Sequence, residues 1–377
     1  MQNAGMSKAL TIRKVELFKL RIPLVEPFVI SLGTITHAEN LVVRVTTENG
    51  IVGFGECSPF LTINGESIDT CFIVGQYLGK VLKGQNASNQ EECTDLMDRT
   101  IYGNSSIKSA LDIAIYDIAA HHANLPLYKF LGGKQAKLLF TDMTVSIGNP
   151  DKMKQDAIRF KEAGFPAIKV KLGGTLEEDV ARIQAIRDGI GPDHPMRIDA
   201  NQGWANASAA IEVLQALAPY NIEHCEEPIP RWQFMDLSKV SAASTIPIMA
   251  DDSCGDHHDA ERLIRLKACS MFNIKLGKSS GFFKAKKIIE KAAKNNVHLQ
   301  VGGFMESRLG MTAAAHLAAS SDHVQHCDFD TPLMFTEDPV SGGIQYGQNG
   351  SIELPEQPGL GAVLREDVLK EAETIEL

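Results

Sequence analysis

Ionisable residues recur at the ends of short apolar runs through the second half of the chain. Lys169 and Lys171 lie in the run Ala167–Leu172, Asp199 and Asn201 close Met196–Asn201, and Glu226 and Glu227 close Ile222–Pro228. Asp251 and Asp252 lie in Pro247–Ser253, Lys275 in Met271–Leu276, and Asp328 and Asp330 at the end of His323–Phe329. Asp199, Glu226 and Asp251 stand on successive runs. Three clustered carboxylates raise one another's pKa unless a cation sits among them. Oxygen donors without a His or Cys cluster favour a hard ion, Mg²⁺ first with Mn²⁺ as the substitute, one per subunit. A lone carboxylate at a strand end also serves as a helix cap, but that explains one such residue better than three in a row. Because neighbours on a strand alternate faces, Glu227 and Asp252 should stand behind the ligands, holding a lysine or a ligand oxygen.

The lysines supply the rest of the chemistry. Lys169 and Lys171 are two apart on one strand and project the same way. Lys275 lies four runs later, diametrically opposite in a closed ring of eight. A substrate carbon on the axis would then have an amine on each face. A metal and a neighbouring cation should lower a lysine pKa towards the range of a general base. Lys171 would remove a proton from one face, the conjugate acid of Lys275 would deliver one to the other, and Lys169 would polarise a substrate oxygen. A metal and an ammonium at a carboxylate stabilise the enediolate left when an α-proton departs. The reaction class is a 1,1-proton transfer, an epimerisation. A Schiff-base lysine is the chemical rival, but it has no need of three carboxylates.

Such side chains need a scaffold that brings eight strand ends to one mouth. The remaining runs are Phe140–Ile147 and Val297–Gly303, and helical patterns such as Glu177–Ile190 and Gly281–Asn295 separate the runs. This rhythm predicts a (β/α)₈ barrel over residues 136–341 with its chemistry at the C-terminal mouth. Residues 1–135 read as an α+β capping domain: alternating runs Thr11–Leu20, Asn40–Thr47 and Ile51–Glu56, a hairpin turn at Glu48–Gly50, then helices over Ser67–Leu82, Glu91–Asp98 and Lys108–Ala123. Pro23–His37 and Ser58–Ser67 show no element and are expected to be covering loops. Gly50, Gly53 and Gly55 lie within a hairpin and not between a strand and a helix, so they are no nucleotide loop. Residues 342–377 should return to the capping domain.

Composition narrows the partners. A net charge of −10 with no basic run argues against nucleic acid. Seven scattered cysteines without a CxxC pair suggest neither a disulfide framework nor a zinc site, and fit a reducing cytoplasm. The start, MQNAGMSKALTIRK, has no apolar leader core, and no stretch is long enough to span a membrane.

Taken together, Lys169-x-Lys171, RIDANQGW, Glu226-Glu227-Pro228, Asp251-Asp252-Ser253 and NIKLGK resemble the muconate-lactonizing subgroup of the enolase superfamily. The resemblance spans nearly the whole chain, including PLYKFLGG at the barrel entrance. It implies Mg²⁺ on Asp199, Glu226 and Asp251, Lys171 and Lys275 as the acid/base pair, and frequent homo-oligomers. Asp328-x-Asp330 in CDFDTPLMF resembles the motif with which dipeptide epimerases bind the substrate's α-ammonium, and paired anions at the mouth suit a cation on physical grounds. By the same resemblance Thr144, Glu306, Asn201 and Lys169 contact substrate. Alanyl-glutamate epimerases of the family carry an arginine in the first capping loop. The matching position here is Gly33, among Val29, Ile30 and Ile35, which points to a dipeptide with a small or apolar second residue. An o-succinylbenzoate synthase, a cycloisomerase and an N-acylamino-acid racemase of the same subgroup are the alternatives.

Overall fold

The computed structural model describes residues 10–377. Residues 1–9, part of the start expected to lack a leader, lie outside the described residues. Among the described residues no helix is long and apolar enough to cross a membrane.

Eight parallel strands form one sheet in sequence order: β5 Met143–Val145, β6 Ile168–Lys171, β7 Met196–Asp199, β8 Cys225–Glu226, β9 Ile248–Ala250, β10 Met271–Lys275, β11 His298–Gly302 and β12 Val324–Cys327. A parallel bridge between Thr141 and Cys327 joins the last strand back to the first. The strands are shorter than the apolar runs that announced them, because each run continues into the loop that presents its polar end. Helices at Pro150–Glu162, Leu176–Ile190, Ala207–Leu217, His257–Leu266, Phe282–Lys294 and Arg308–Ala319 lie between them. Thr175 and Glu178 form a reciprocal capping box at one such helix, satisfying donors the first turn cannot pair internally. Ile168, Val170, Ile198, Phe272, Leu299 and Val301 are fully buried in the main core with the helices' apolar stripes.

The smaller unit is an antiparallel sheet of β1 Ile12–Ile30, β2 Gly33–Thr47 and β3 Val52–Cys57, packed on helices Ile68–Leu82 and Ser105–His122. Gly53 and Gly55 have a structural task here: a Cβ on either would collide with a carbonyl oxygen of helix Ser105–His122, Ala114 or Ala110. Gly50 turns the β2–β3 hairpin at φ +85°.

The expectation of an irregular Pro23–His37 loop fails. Its residues extend the β1–β2 ladder to the pairs Phe28↔Ile35, Val29↔Thr34 and Ile30↔Gly33, with a register irregularity between Pro23 and Phe28. The prolines sit at that irregularity, where a missing N–H costs no ladder bond. Ser58–Ser67 contains no regular element. Beyond Val340 the chain makes small sheets on the barrel, with Arg308 donating to the carbonyls of Val340, Gly342 and Ile344. Only the terminal strand Glu373–Glu376 joins the capping sheet, beside β1.

Candidate active site

Asp199 ends β7, Glu226 ends β8 and Asp251 follows β9, and each offers a ligand oxygen within 4.8 Å of the other two. All three are fully buried. Each carboxylate spends one oxygen on a framework donor and the other on a lysine. Asn201 N–H donates to Asp199 Oδ1 (2.8 Å), while Lys171 donates to Oδ2 (2.6 Å). The Asn273 amide donates to Glu226 Oε1 (2.7 Å), and Lys169 to Oε2 (2.7 Å). Lys278 donates to Asp251 Oδ1 (2.5 Å), and Lys275 to Oδ2 (2.6 Å). Burial, and then the charge of Asp199, raise Glu226 to about 7. An all-oxygen trio with a carboxylate so close to protonation is short of positive charge, and a hard divalent ion fits it.

Glu227 and Asp252 do stand behind, but neither holds a lysine. Glu227 accepts from the backbone N–H of Asp251 (2.7 Å) and Ser253 (3.2 Å), and from the Ser253 hydroxyl. Asp252 accepts from Gln202 (2.7 Å). These bonds fix the strand-end backbone that carries Asp251.

Lys171 and Lys275 both line a cavity of about 40 Å³, closed by Phe28, Ile30, Ile35, Phe60, Ile63, Phe304 and Met305. Each ammonium lies near an aromatic face, Lys171 at 5.9 Å from Phe28 and Lys275 at 4.9 Å from Phe304. Larger cavities flank it, about 320 Å³ and 500 Å³, but neither contains either lysine. Burial works against the charge of Lys275, yet Asp251, Glu226 and Asp252 outweigh it and hold the lysine above its usual range. Lys169, under the same opposing burial, is raised by Asp328, Glu226 and Asp199. The surrounding carboxylates dominate both lysines.

Lys169 is buried between Glu226 and Asp328, 2.7 Å from each. Asp328 and Asp330 line the cavity with Thr144 and Asn201, and Thr144 N–H donates to Asp330 Oδ2 (2.7 Å). Burial opposes the charge of Asp328, but Lys169 and Lys171 hold it at about 2. Burial and the Asp328 charge raise Asp330 to about 7. An incoming cation would favour the doubly ionised pair.

Three of the residues expected near substrate lie outside the wall of this cavity. Glu306 is not part of the cavity wall; its carboxylate accepts from the Phe304 N–H (2.5 Å). Val29 faces away, its N–H donating to Ser146 Oγ (2.7 Å) because alternate strand residues change sides. Gly33 sits at the hairpin tip and borders the outer 320 Å³ cavity. Ile30 and Ile35 are where they were expected.

Unanticipated residues form a polar layer below the ligands. Arg197 donates to Asp142 (2.8 Å) and lies 2.9 Å from His326, and Gln300 donates to Glu226 (3.4 Å). The signal was present: Arg197, Asn273 and His326 each sit two residues before an inward polar group, and strand alternation puts them on the same face. Lys278, three residues beyond Lys275, had the helical spacing that returns to one side.

Residues 152–368 match the family model described as enolase C-terminal domain-like, and residues 12–132 the mandelate racemase / muconate lactonizing enzyme N-terminal domain. The chain is 56% identical over 364 residues to a D-Ala-D/L-Ala epimerase of Cytophaga hutchinsonii, covering 97% of this chain and 99% of that one. It is 37% identical to a hydrophobic dipeptide epimerase of Enterococcus faecalis, covering 93% of this chain and 99% of that one. A solved structure of a dipeptide epimerase from Cytophaga hutchinsonii, complexed with Mg and the dipeptide D-Ala-L-Val, superposes with a TM-score of 0.96 at 55% identity over 97% of this chain and 99% of that one. On the barrel, its cap and these matches, the chain belongs to the mandelate racemase/muconate-lactonizing enzyme family of the enolase superfamily.

Proposed function

We propose that the protein is a dipeptide epimerase that inverts the α-carbon of the second residue of a dipeptide with a small or apolar second side chain. One observation carries the reading: two lysines and an aspartate pair line the same cavity. Asp328 and Asp330 take the α-ammonium, and Thr144 holds Asp330 in place. The α-carbon of the second residue then lies between Lys171 and Lys275. One lysine, as free amine, takes the α-proton, and the C–H electron pair moves into the carboxylate to give the enediolate. The ammonium of the other lysine returns a proton to the opposite face, so the product is the epimer and the two lysines have exchanged protonation states. Mg²⁺ on Asp199, Glu226 and Asp251, when bound, supplies positive charge for the substrate carboxylate. Lys169 adds a fixed ammonium beside it.

Ile30, Ile35, Phe60, Ile63 and Met305 give the cavity an apolar wall with no arginine for a side-chain carboxylate. The lyases of the subgroup have no use for an anionic pair facing an ammonium, and the named relatives do not favour them. A homo-oligomer in the cytoplasm completes the reading; light scattering of the purified protein tests the assembly.

The deciding experiment is α-proton exchange in D₂O with Mg²⁺ and a library of L-Ala-L-Xaa dipeptides, read by mass and chirality. Deuterium should enter the second residue with inversion, fastest for small and apolar side chains. No exchange with any dipeptide would overturn the activity. A marked preference for Ala-Glu would overturn the specificity.

A further inference from the structure

Among the framework donors to the metal-site carboxylates, one stands apart. Asp199 is held by a backbone N–H and Glu226 by a neutral amide. Asp251 is held by an ammonium: Lys278 donates to its Oδ1 and to its carbonyl oxygen, and also to the Asn273 carbonyl at 3.1 Å. Lys278 is buried, 7% exposed, and takes no part in the cavity wall. It rises from the short helix Leu276–Ser279, one turn after Lys275.

We propose that Lys278 is a positioning residue that anchors Asp251, leaving Lys275 free to move from Asp251 to the substrate without drawing the carboxylate after it. The inference rests on the two-lysine reading above. Lys275 has to exchange its 2.6 Å partner on Asp251 for the α-carbon in every turnover. In a dry site a charge-assisted bond outcompetes a neutral one, so a carboxylate held only by neutral donors would follow its lysine. Lys171 needs no such device, because its partner Asp199 is also held by Lys169 at 3.3 Å and by both the backbone and the amide of Asn201. Asp251 meets no barrel-strand lysine besides Lys275, and Lys278 fills that place.

Two measurements test this on the whole protein. The first is Mg²⁺ titration by calorimetry and needs no substrate. Lys275→Ala should leave the Mg²⁺ Kd within about threefold of the parent, because Lys278 still holds Asp251. Lys278→Gln should weaken Mg²⁺ by about tenfold or more. Were Lys278 only a charge near the site, removing it would tighten Mg²⁺; a tighter or unchanged Kd overturns the proposal. So does a large loss in Lys275→Ala, an outcome readable even if the Lys278 variant folds poorly. The second is α-proton exchange from each epimer of Ala-Ala by Lys278→Gln. A positioning role slows exchange on the Lys275 face and shifts the ratio between epimers by about tenfold. Equal slowing of both faces indicates a general structural defect and overturns it. Absence of exchange in the parent protein would instead reject the epimerase reading, leaving the Mg²⁺ result to stand alone.

Discussion

At the scale of single residues, charge pairing decides what each side chain can do. Asp328 touches Lys169, and Asp330 accepts from the Thr144 backbone. Asp328→Asn leaves Lys169 with one buried carboxylate fewer and removes a partner of the ammonium, so kcat/KM for free-amine dipeptides should fall by about 100-fold or more. Steady-state kinetics on Ala-Ala check this, and full activity would return the chain to the subgroup's lyases. Stripping divalent ions with EDTA should abolish exchange, and added Mg²⁺ or Mn²⁺ should restore it, since the trio is an all-oxygen site. The carboxylate trio and the two lysines of the cavity were legible because ionisable groups inside apolar runs have few innocent explanations. Glu306 shows that a carboxylate near the mouth also serves as a backbone acceptor. Lys278 was overlooked because its spacing from Lys275 counts only if a single helical turn, Leu276–Ser279, follows the strand.

At the scale of elements, the barrel was readable and the lid was not. Strand-then-helix rhythm survives local irregularity, since each βα unit repeats the same burial problem. The hairpin arm Pro23–His37 has apolar residues on both faces, because Ile30 and Ile35 face the catalytic cavity while Val29 faces the neighbouring 500 Å³ cavity. Without alternation and with two prolines, an extended ladder reads as loop. The glycines of β3 show the reverse case, a motif whose meaning is packing. Gly55→Ala would push a methyl group into the Ala110 carbonyl oxygen and force the helix off the sheet. We expect it to destabilise the protein by about 2–3 kcal/mol, measured as a lower denaturation midpoint with an unchanged m-value. Removal of the Thr175 hydroxyl by Thr175→Ala should cost about 1 kcal/mol, without altering substrate preference.

At the scale of the molecule, buried polar groups tie the cap to the barrel. Glu56 of β3 accepts from the backbone of Ser307 (3.0 Å) and Gly310 (2.7 Å), at the start of helix Arg308–Ala319. Asp112 accepts from Phe282 N–H (2.6 Å) at the start of another barrel helix. His316 joins three parts of the chain: its Nδ1 accepts from Tyr128 N–H (3.1 Å) and its Nε2 faces the Leu360 carbonyl (3.1 Å). Burial lowers its pKa to about 4. The folded protein therefore binds fewer protons than the unfolded chain between that value and the ordinary histidine pKa of about 6.5. The stability this histidine confers is complete above about pH 6.5 and is lost as pH falls towards 4. His316→Gln should flatten that part of the stability-against-pH curve, measured by denaturant unfolding at successive pH values.

The terminal strand Glu373–Glu376 pairs with β1 across Glu16–Lys19. The capping sheet is thus completed by a strand that follows the whole barrel in sequence. At ordinary translation speeds of about 5–20 residues per second, β1 waits tens of seconds with one ladder edge open. During that interval the nascent cap is an unfinished template for any extended chain nearby. Deleting Glu373–Glu376 would leave the catalytic mouth intact in sequence and the β1 edge permanently open to self-association.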